Sequence, residues 1–277
     1  MPGLVIYNSG MEEKIEKRLF TIVVPTLNEE VHLPHLLNDL EKQTYKGFEL
    51  IVVDGKSIDK TREIAKKHKA KVLVSKIKNV SYQRNLGGNS SNTDWIVFMD
   101  ADNRIPKTYL QKVKKEIENG NPDIFSTWMK PDSYSKKDKI MATLMNIFMD
   151  INKNSDKPYI LESMVFIKKE AFKKLKGFNT KIPWREGEEL LERAHKMNLK
   201  FTFIKNPKYT YSFRRLKKIG AFKMLQEMSQ MEIIKMLKGN LTKKETEFLY
   251  PMKGGEFYRN HKTRKMTLKK FLSVLFD

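Results

Sequence analysis

Four short apolar segments, each followed by a polar or helical stretch, constrain the fold of this chain more than any other feature. We read them as strands, with the sequences FTIVVP, FELIVVD, KVLV and WIVFM, at residues 20–25, 48–54, 71–74 and 95–99. Helical patterns follow three of them, at about 31–43, from Ser57 or Asp59 onward and at about 106–118. Strands that alternate with helices are typical of a parallel sheet, because each return crossover needs a helix. The chain therefore predicts an α/β fold, with a Rossmann-like, mostly parallel central sheet flanked by helices.

The second half of the chain is less regular. Strand patterns occur at 123–128, 161–168 and 200–205, and helical patterns occur at 169–175 and 186–197. From about residue 214 the sequence is helical, basic and rich in methionine. We therefore expect an N-terminal extension over 1–18, one large domain over 19–210 and a basic helical C-terminal extension over 211–277.

Composition narrows the class of protein. Of the 277 residues, 40% are hydrophobic, which is enough for a folded core. None is cysteine, so disulfides and thiolate metal sites are excluded. No apolar run approaches the roughly 20 residues that span a bilayer, and the segment 1–17 is too acidic for a signal peptide. We expect a cytoplasmic protein, either soluble or peripheral at the inner face of the membrane.

The net charge of +21 is unevenly distributed along the chain. Between Lys200 and Asp277 there are 19 lysines and arginines but only 6 aspartates and glutamates. Such an excess favours an anionic partner, such as a phosphorylated substrate, an anionic membrane surface or a nucleic acid. The alternative is a lysine-rich surface that only faces water.

Distinctive residues follow three of the four predicted strands at the point where each strand ends. They are Pro25, Thr26, Asn28 and Glu29 after the first strand, Asp54 at the end of the second, and Asp100 and Asp102 after the fourth. Because ligands of open parallel sheets bind at the carboxyl ends of the strands, we expect these residues to line one crevice. Carboxylates gathered there could hold a hard divalent cation, which would neutralise a pyrophosphate.

The segments VVPTLNEE, LIVVDGKSIDKT, QRNLGG and VFMDADNRIP occur in this order along the chain. In sequence and order they resemble the family 2 glycosyltransferases, and the resemblance extends over about 20–206. It implies the glycosyltransferase A-type fold, with 19–105 as the nucleotide-sugar-binding half and 106–210 as the acceptor-side half. It also implies inverting transfer of a sugar from a UDP- or GDP-sugar to a glycan hydroxyl or a polyprenyl phosphate.

For the nucleotide, the resemblance implies a binding loop and a partner for the base. The loop would consist of Pro25, Thr26, Asn28 and Glu29, with Glu29 near the ribose. Asp54 would accept a hydrogen bond from a ring N–H of the base, usually uracil.

For the diphosphate, the resemblance implies an arginine and a divalent cation. Arg84 would grip phosphate oxygens, although the sequence alone also allows an exposed charge on a helix that the following glycine pair ends. In the Asp100-Ala101-Asp102 (DxD) motif, Asp100 would contact the ribose or the sugar, and Asp102 would bind Mn²⁺ or Mg²⁺. The cation would stabilise the departing diphosphate as a Lewis acid.

The acidic stretch WREGEELLERAHK departs from the family at the position of the catalytic base. The family has a Glu-Asp pair there, followed by an acid, a leucine and then an arginine. Glu186 matches the first residue of the pair, but Gly187 stands where the aspartate is expected. We expect Glu186 to deprotonate the acceptor, with Glu188 as the next candidate. Two alternatives remain: a phosphate acceptor is already ionised and needs no base, and these acids could simply stabilise the first turn of a helix.

The segment 128–163 would form the acceptor side of the crevice. Its helical pattern places Ile140, Leu144, Ile147 and Ile151 on one face, and we expect this face to pack in the core. A lid or a lipid-acceptor groove is the alternative, because the segment is rich in methionine. Trp184 would either stack on a sugar ring or lie in the core.

Four further predictions concern the partners and the class of function. The basic segments 216–238 and 261–276 would either bind an anionic membrane as interfacial helices or pack on the main domain. A nucleic-acid partner is not expected, because no basic–aromatic module is present. Gly187 leaves open a catalytically silent relative that binds a nucleotide sugar without transferring it. A Rossmann dehydrogenase is disfavoured, since no Gly-x-Gly-x-x-Gly follows the first strand.

Overall fold

A computed structural model of the chain describes residues 18–238, 242, 245–247 and 254–255. The N-terminal extension predicted over 1–18, except Arg18, and the basic segment 261–276 lie outside these residues. Within them, seven strands form one sheet in the order β3-β2-β1-β4-β6-β5-β7. The strands are β1 (Phe20–Thr26), β2 (Phe48–Asp54), β3 (Lys71–Val74), β4 (Trp95–Met99), β5 (Ile124–Pro131), β6 (Met164–Lys168) and β7 (Phe201–Tyr211).

The sheet is mostly parallel, as predicted. Strands β1 to β4 run parallel to one another, and β5 runs parallel to β7. The exception is β6, which is antiparallel to both of its neighbours, β4 and β5.

Helices cover both faces of the sheet. They are α1 (Leu33–Glu41), α2 (Thr61–Lys67), α3 (Val80–Asn89), α4 (Tyr109–Gly120), α5 (Lys136–Asn152), α6 (Lys169–Lys174), α7 (Glu186–Lys196), α8 (Arg214–Ile219) and α9 (Ala221–Lys238). Alternate residues of a strand point to opposite faces, and β1 follows this rule. Ile22 and Val24 lie in one apolar cluster, whereas Val23 lies in the other. The result is the expected α/β fold with a core on each side of the sheet.

Helix α3 lies unusually close to the sheet, and its glycine pair explains why. Gly87 and Gly88 do not end the helix but lie inside it, and both are buried. A Cβ at Gly87 would overlap the side chain of Val23, and one at Gly88 would lie 2.6 Å from Phe172 Cζ. The glycines therefore allow the backbone of α3 to approach β1 and α6, and this approach fixes the position of Arg84.

The apolar face of α5 is not in the core, so that expectation is wrong. The exposed fractions of Ile140, Leu144 and Ile151 are 61%, 61% and 75%, and Ile147 is 41% exposed. The helix is instead anchored by its other side, where Ala142, Asn146 and Met149 are buried. Asn146 accepts a hydrogen bond from the Met129 N–H at 3.0 Å and donates one to the Met129 carbonyl at 2.8 Å.

The chain continues after β7 as two helices, α8 and α9, which are separated by Gly220 with a φ of +83°. The basic segment predicted to be helical over 216–238 is therefore helical but interrupted. Over the part of the chain that the structure describes, no helix is both long and apolar enough to cross a bilayer.

Candidate active site

The topology brings the predicted nucleotide residues to one edge of the sheet. Strand β1 lies between β2 and β4, and its last residue, Thr26, is in register with Asp54 at the end of β2. Pro25 and Thr26 are the last two residues of β1 and are buried in the strand. The loop proper therefore begins after Thr26 and contains Asn28 and Glu29.

Asn28 connects the loops that follow β1 and β2. Its backbone is left-handed, with φ +55°, a conformation that asparagine tolerates better than most residues. Its Oδ1 accepts the Ile58 N–H at 2.9 Å, and its own N–H donates to Ser57 Oγ at 2.8 Å. Gln83, which the sequence did not single out, donates to the carbonyls of Thr26 at 2.9 Å and Val53 at 2.7 Å. These bonds hold the two strand ends together at the crevice.

Asp54 is fully buried, and only one of its two carboxylate oxygens has a hydrogen-bond donor among the described residues. Its Oδ2 accepts the Ser57 N–H at 3.0 Å and lies 3.8 Å from Arg62 Nε. Its Oδ1 has no hydrogen-bond partner among the described residues. An unpaired buried carboxylate oxygen is costly, and it is suited to a ligand that brings an N–H donor.

Arg84 lies in the interior and not on the surface, so the exposed-charge reading of the sequence is wrong. Its Nη1 donates to Glu186 Oε1 at 2.6 Å, and its Nη2 donates to Asp100 Oδ1 at 3.4 Å and to the Glu162 carbonyl at 3.3 Å. The guanidinium thus joins α3, the DxD motif and the start of α7.

Arg214, at the start of α8, is a site residue that the sequence reading missed. Its Nη2 and Nη1 donate to the two carboxylate oxygens of Glu29 at 3.0 and 3.3 Å, and its Nε lies 2.8 Å from Asp102 Oδ2. The only available signal was the SFRRLKKIG stretch, which does not show what the arginine contacts.

The carboxyls that Arg214 contacts hold their protons more strongly than usual. Burial raises the pKa of Glu29 to about 7, although Arg214 opposes this, and the nearby Asp102 and Asp100 add to it. Burial likewise raises the pKa of Asp102 to about 6, against the lowering effect of Arg214 and with a further increase from Asp100. Both carboxyls therefore take up a proton closer to neutral pH than an exposed carboxyl does.

The DxD motif fits a divalent cation that is shared with a substrate, not one that the protein holds alone. Asp100 and Asp102 are half-buried at the crevice, whereas Ala101 between them is packed in the core. Over the described residues, no cluster of three or more His, Cys, Asp or Glu side chains could hold a metal. Mg²⁺ commonly binds through one or two carboxylates together with substrate phosphates, and this pair of carboxylates meets that requirement.

The start of α7 carries the predicted base candidates, and both are buried and ion-paired. Glu186 is paired with Arg84, and Glu188 is paired with Arg185. Burial raises the pKa of Glu188, an effect that Arg185 opposes. Trp184, just before the helix, is buried, and the Arg185 guanidinium carbon lies 5.2 Å from its ring centroid.

The fold defines an α/β protein with a mostly parallel sheet, and comparison with known proteins identifies its family. Residues 21–176, more than half of the chain, match the family described as glycosyl transferase family 2, and the chain belongs to it. The fold agrees with solved structures. A crystal structure of Staphylococcus aureus TarS with UDP-GlcNAc has a TM-score of 0.59 at 17% identity, covering 93% of this chain and 79% of TarS. The mannosyltransferase PcManGT from Pyrobaculum calidifontis, with GDP-Man and Mn²⁺, has a TM-score of 0.63 at 14% identity, covering 86% of this chain and 69% of PcManGT.

Sequence relatives are similar over part of their length. TarS, a poly(ribitol-phosphate) beta-N-acetylglucosaminyltransferase, is 31% identical over 142 residues, which are 46% of this chain and 25% of TarS. The GalNAc(5)-diNAcBac-PP-undecaprenol beta-1,3-glucosyltransferase of Campylobacter jejuni is 23% identical over 159 residues, which are 49% of this chain and 52% of the enzyme. The matched region thus spans a quarter of TarS and about half of the glucosyltransferase.

Proposed function

We propose that the protein is an inverting glycosyltransferase that moves a sugar from a UDP- or GDP-sugar to an acceptor, with a divalent cation at the DxD motif. The observation that carries this proposal is the convergence at one sheet edge of Asp54, Asp102 and the Arg84–Glu186 pair. Domain 19–210 would contain most of the reaction centre, and α8 would contribute Arg214 to it from the extension 211–277.

The unpaired Oδ1 of Asp54 supports its role as the partner of the base. Uracil and guanine both carry a ring N–H that a carboxylate can accept, so Asp54 suits either. The ligands of the structural neighbours, UDP-GlcNAc in one case and GDP-Man in the other, include both bases.

At the diphosphate, Asp102 would bind Mn²⁺ or Mg²⁺, and Asp100 would face the ribose or the sugar. The cation would supply Lewis-acid stabilisation of the leaving diphosphate. Arg84 would orient phosphate oxygens, and Glu29 would lie near the ribose on the loop that Asn28 fixes. The Mn²⁺ in the PcManGT structure supports the choice of cation.

The acceptor side would lie between α5 and the start of α7. The exposed apolar residues of α5, together with Lys136, Lys137 and Lys139 in its first turn, suit a lipid-linked acceptor or an anionic membrane surface. The Campylobacter relative, whose name specifies an undecaprenol-linked substrate, supports this reading. Co-sedimentation with anionic and neutral liposomes tests it, and equal binding to both, or none at all, would remove the membrane from the proposal.

A screen of nucleotide sugars with and without Mn²⁺ tests the proposed function. We expect one UDP- or GDP-sugar to raise the melting temperature in a Mn²⁺-dependent way and to be turned over slowly to the nucleoside diphosphate. Asp102→Asn should remove the Mn²⁺-dependent increase, whereas Asp132→Asn, which alters another acid that contacts α8, should not. A protein that binds the sugar donor but releases no sugar in a single turnover would instead be a silent relative.

A further inference from the structure

The most unusual feature of the site is a third carboxylate, Glu162, that lies against the start of α7. Glu162 precedes β6 and is half-buried. Its Oε1 accepts the backbone N–H of Gly187 at 3.1 Å. The sequence analysis did not identify it, because Glu162 lies 25 positions before Gly187.

Glu162 and Gly187 are sterically matched. A Cβ at residue 187 would lie 2.5 Å from Glu162 Cγ and 3.1 Å from Glu162 Oε1. Real Cβ atoms do not approach a methylene that closely, so the Glu162 side chain fills the space that any side chain at residue 187 would need. A carboxylate oxygen of Glu162 thus lies beside the point where the β-carbon of an aspartate at residue 187 would stand.

The three carboxylates at this point are not equivalent. Glu186 and Glu188 each form an ion pair, with Arg84 and Arg185 respectively. Glu162 forms no ion pair within 4.0 Å among the described residues; the Gly187 amide holds its carboxylate. A carboxylate oxygen that is paired with a guanidinium is already engaged, so it is less available to accept a proton from a substrate. Of the three, Glu162 is the carboxylate that no guanidinium pairs with among the described residues.

The charged groups around Glu162 come from three elements. Glu186 and Glu188 face it from α7, Arg84 faces it from α3, and Tyr209 lies nearby on β7. Burial and then the charge of Glu186 raise the pKa of Glu162 to about 8, with Arg84 opposing the increase. A carboxylate with this proton affinity is a stronger base than an ordinary glutamate, and it is still partly ionised near neutral pH.

We propose that Glu162 is the general base of the transfer and that the acceptor is therefore a hydroxyl compound, not a phosphate. This inference rests on the proposed function. The acceptor oxygen attacks the anomeric carbon and forms the new C–O bond, while the bond from that carbon to the diphosphate breaks and its electron pair leaves with the nucleoside diphosphate. The hydroxyl proton passes to Glu162 and then to solvent. Glu186 and Glu188 are positioning residues, since they hold Arg84 and Arg185.

Donor hydrolysis tests the assignment without an identified acceptor, because water then takes the place of the hydroxyl. The probe is the UDP- or GDP-sugar that the screen selects, at saturating Mn²⁺. Glu162→Gln keeps the hydrogen bond from Gly187 and should lower kcat by about 10²–10⁴-fold, the usual contribution of a general base. UDP or GDP binding, measured by thermal shift, should stay within twofold of wild type. The wild-type kcat should rise with pH and level off above about 8, whereas residual turnover by Glu162→Gln should not.

A carboxylate exchange provides a second test. Glu162→Ala vacates the space beside Gly187, and the double variant Glu162→Ala/Gly187→Asp returns a carboxylate to it from α7. The double variant should be at least ten times faster than Glu162→Ala, whereas Gly187→Asp alone, which crowds Glu162, should be slower than wild type.

The outcomes distinguish a failure of the Glu162 assignment from a failure of the proposed function. Wild-type turnover by a Glu162→Gln protein, or a folded double variant no faster than Glu162→Ala, would overturn the role of Glu162 and leave the glycosyltransferase intact. A wild-type protein that neither binds nor turns over any nucleotide sugar would overturn both.

Discussion

Arg214 Nε lies 2.8 Å from Asp102 Oδ2, on the second carboxylate of the DxD motif. The same guanidinium contacts Glu29, so one side chain of α8 bridges the first loop and the DxD motif. Two acids that line the crevice, Glu29 and Asp102, thus share one positively charged side chain.

Replacing Arg214 should make the protein more dependent on an external cation. Without it, Glu29 and Asp102 lose their shared partner, and we expect Arg214→Gln to destabilise the metal-free protein by ~1–3 kcal/mol, less than the cost of breaking a fully buried pair. Mn²⁺ with UDP should raise the melting temperature more in this variant than in wild type. Arg215→Gln, the next residue on α8, is the control, and equal Mn²⁺ responses in both proteins would contradict the bridging role.

Asp54→Asn should weaken nucleotide binding without unfolding the protein. The amide can keep an acceptor toward the Ser57 N–H, but its NH₂ then faces the place where the base would present a donor. Because a hydrogen bond to a charged group contributes about 1.5–3 kcal/mol, the Kd for UDP or GDP should rise about 10- to 100-fold. Isothermal titration calorimetry measures this. Arg62→Gln, which removes the charge 3.8 Å from the same carboxylate, should change the Kd much less.

Glu162→Gln should stabilise the protein at alkaline pH. The pKa of this carboxyl is raised from 4.5 to about 8 on folding, so its contribution to stability is present below about pH 4.5 and is lost as the pH rises toward 8. Glutamine has no such loss. The melting temperature of the variant relative to wild type should therefore increase from pH 5 to pH 8. If the difference is flat across this range, the pKa of Glu162 is not raised.

Gly87→Ala should disrupt the contact between α3 and the sheet. The new methyl group would overlap Val23 and lie 3.0 Å from Val53 Cγ2, and overpacking of this kind costs about 1–3 kcal/mol. Gly120→Ala at the end of α4 is a matched control, because its Cβ would come no closer than 3.9 Å to another group. Urea denaturation should show a loss of stability for Gly87→Ala alone. Since α3 carries Arg84, reduced nucleotide binding should accompany it.

The sequence predicted those elements whose apolar runs end at clear turn signals. Strands β2, β3 and β4 have the predicted bounds for this reason. Strand β7 extends to Tyr211, beyond the predicted residue 205, because it lies at the edge of the sheet, where Pro207 is tolerated. Helix α3 was harder to delimit, since it buries Ser81, Gln83 and Arg84 and has little apolar periodicity.

The positions of the candidate site residues could be predicted where they follow strands, but not where distant segments meet. Asp54 and the DxD motif could be placed because parallel strands end at one edge. Arg214 meets Glu29 across 185 positions, and no local pattern encodes that contact. The glycine at residue 187 was visible as a departure, but only the structure shows that Glu162 fills the space beside it. The exposed apolar face of α5 shows a related limit of sequence analysis. Periodicity identifies an apolar face, but it does not reveal whether another part of the protein covers that face.

The position of Arg84 has a consequence for the order of events. Its guanidinium connects Asp100, on the proposed donor side, with Glu186, on the proposed acceptor side. Any phosphate that draws Arg84 toward itself must weaken its hold on Glu186 and so alter the geometry at the start of α7. Occupancy of one half of the crevice would thereby be communicated to the other, which favours a sequence in which the activated sugar enters before its recipient.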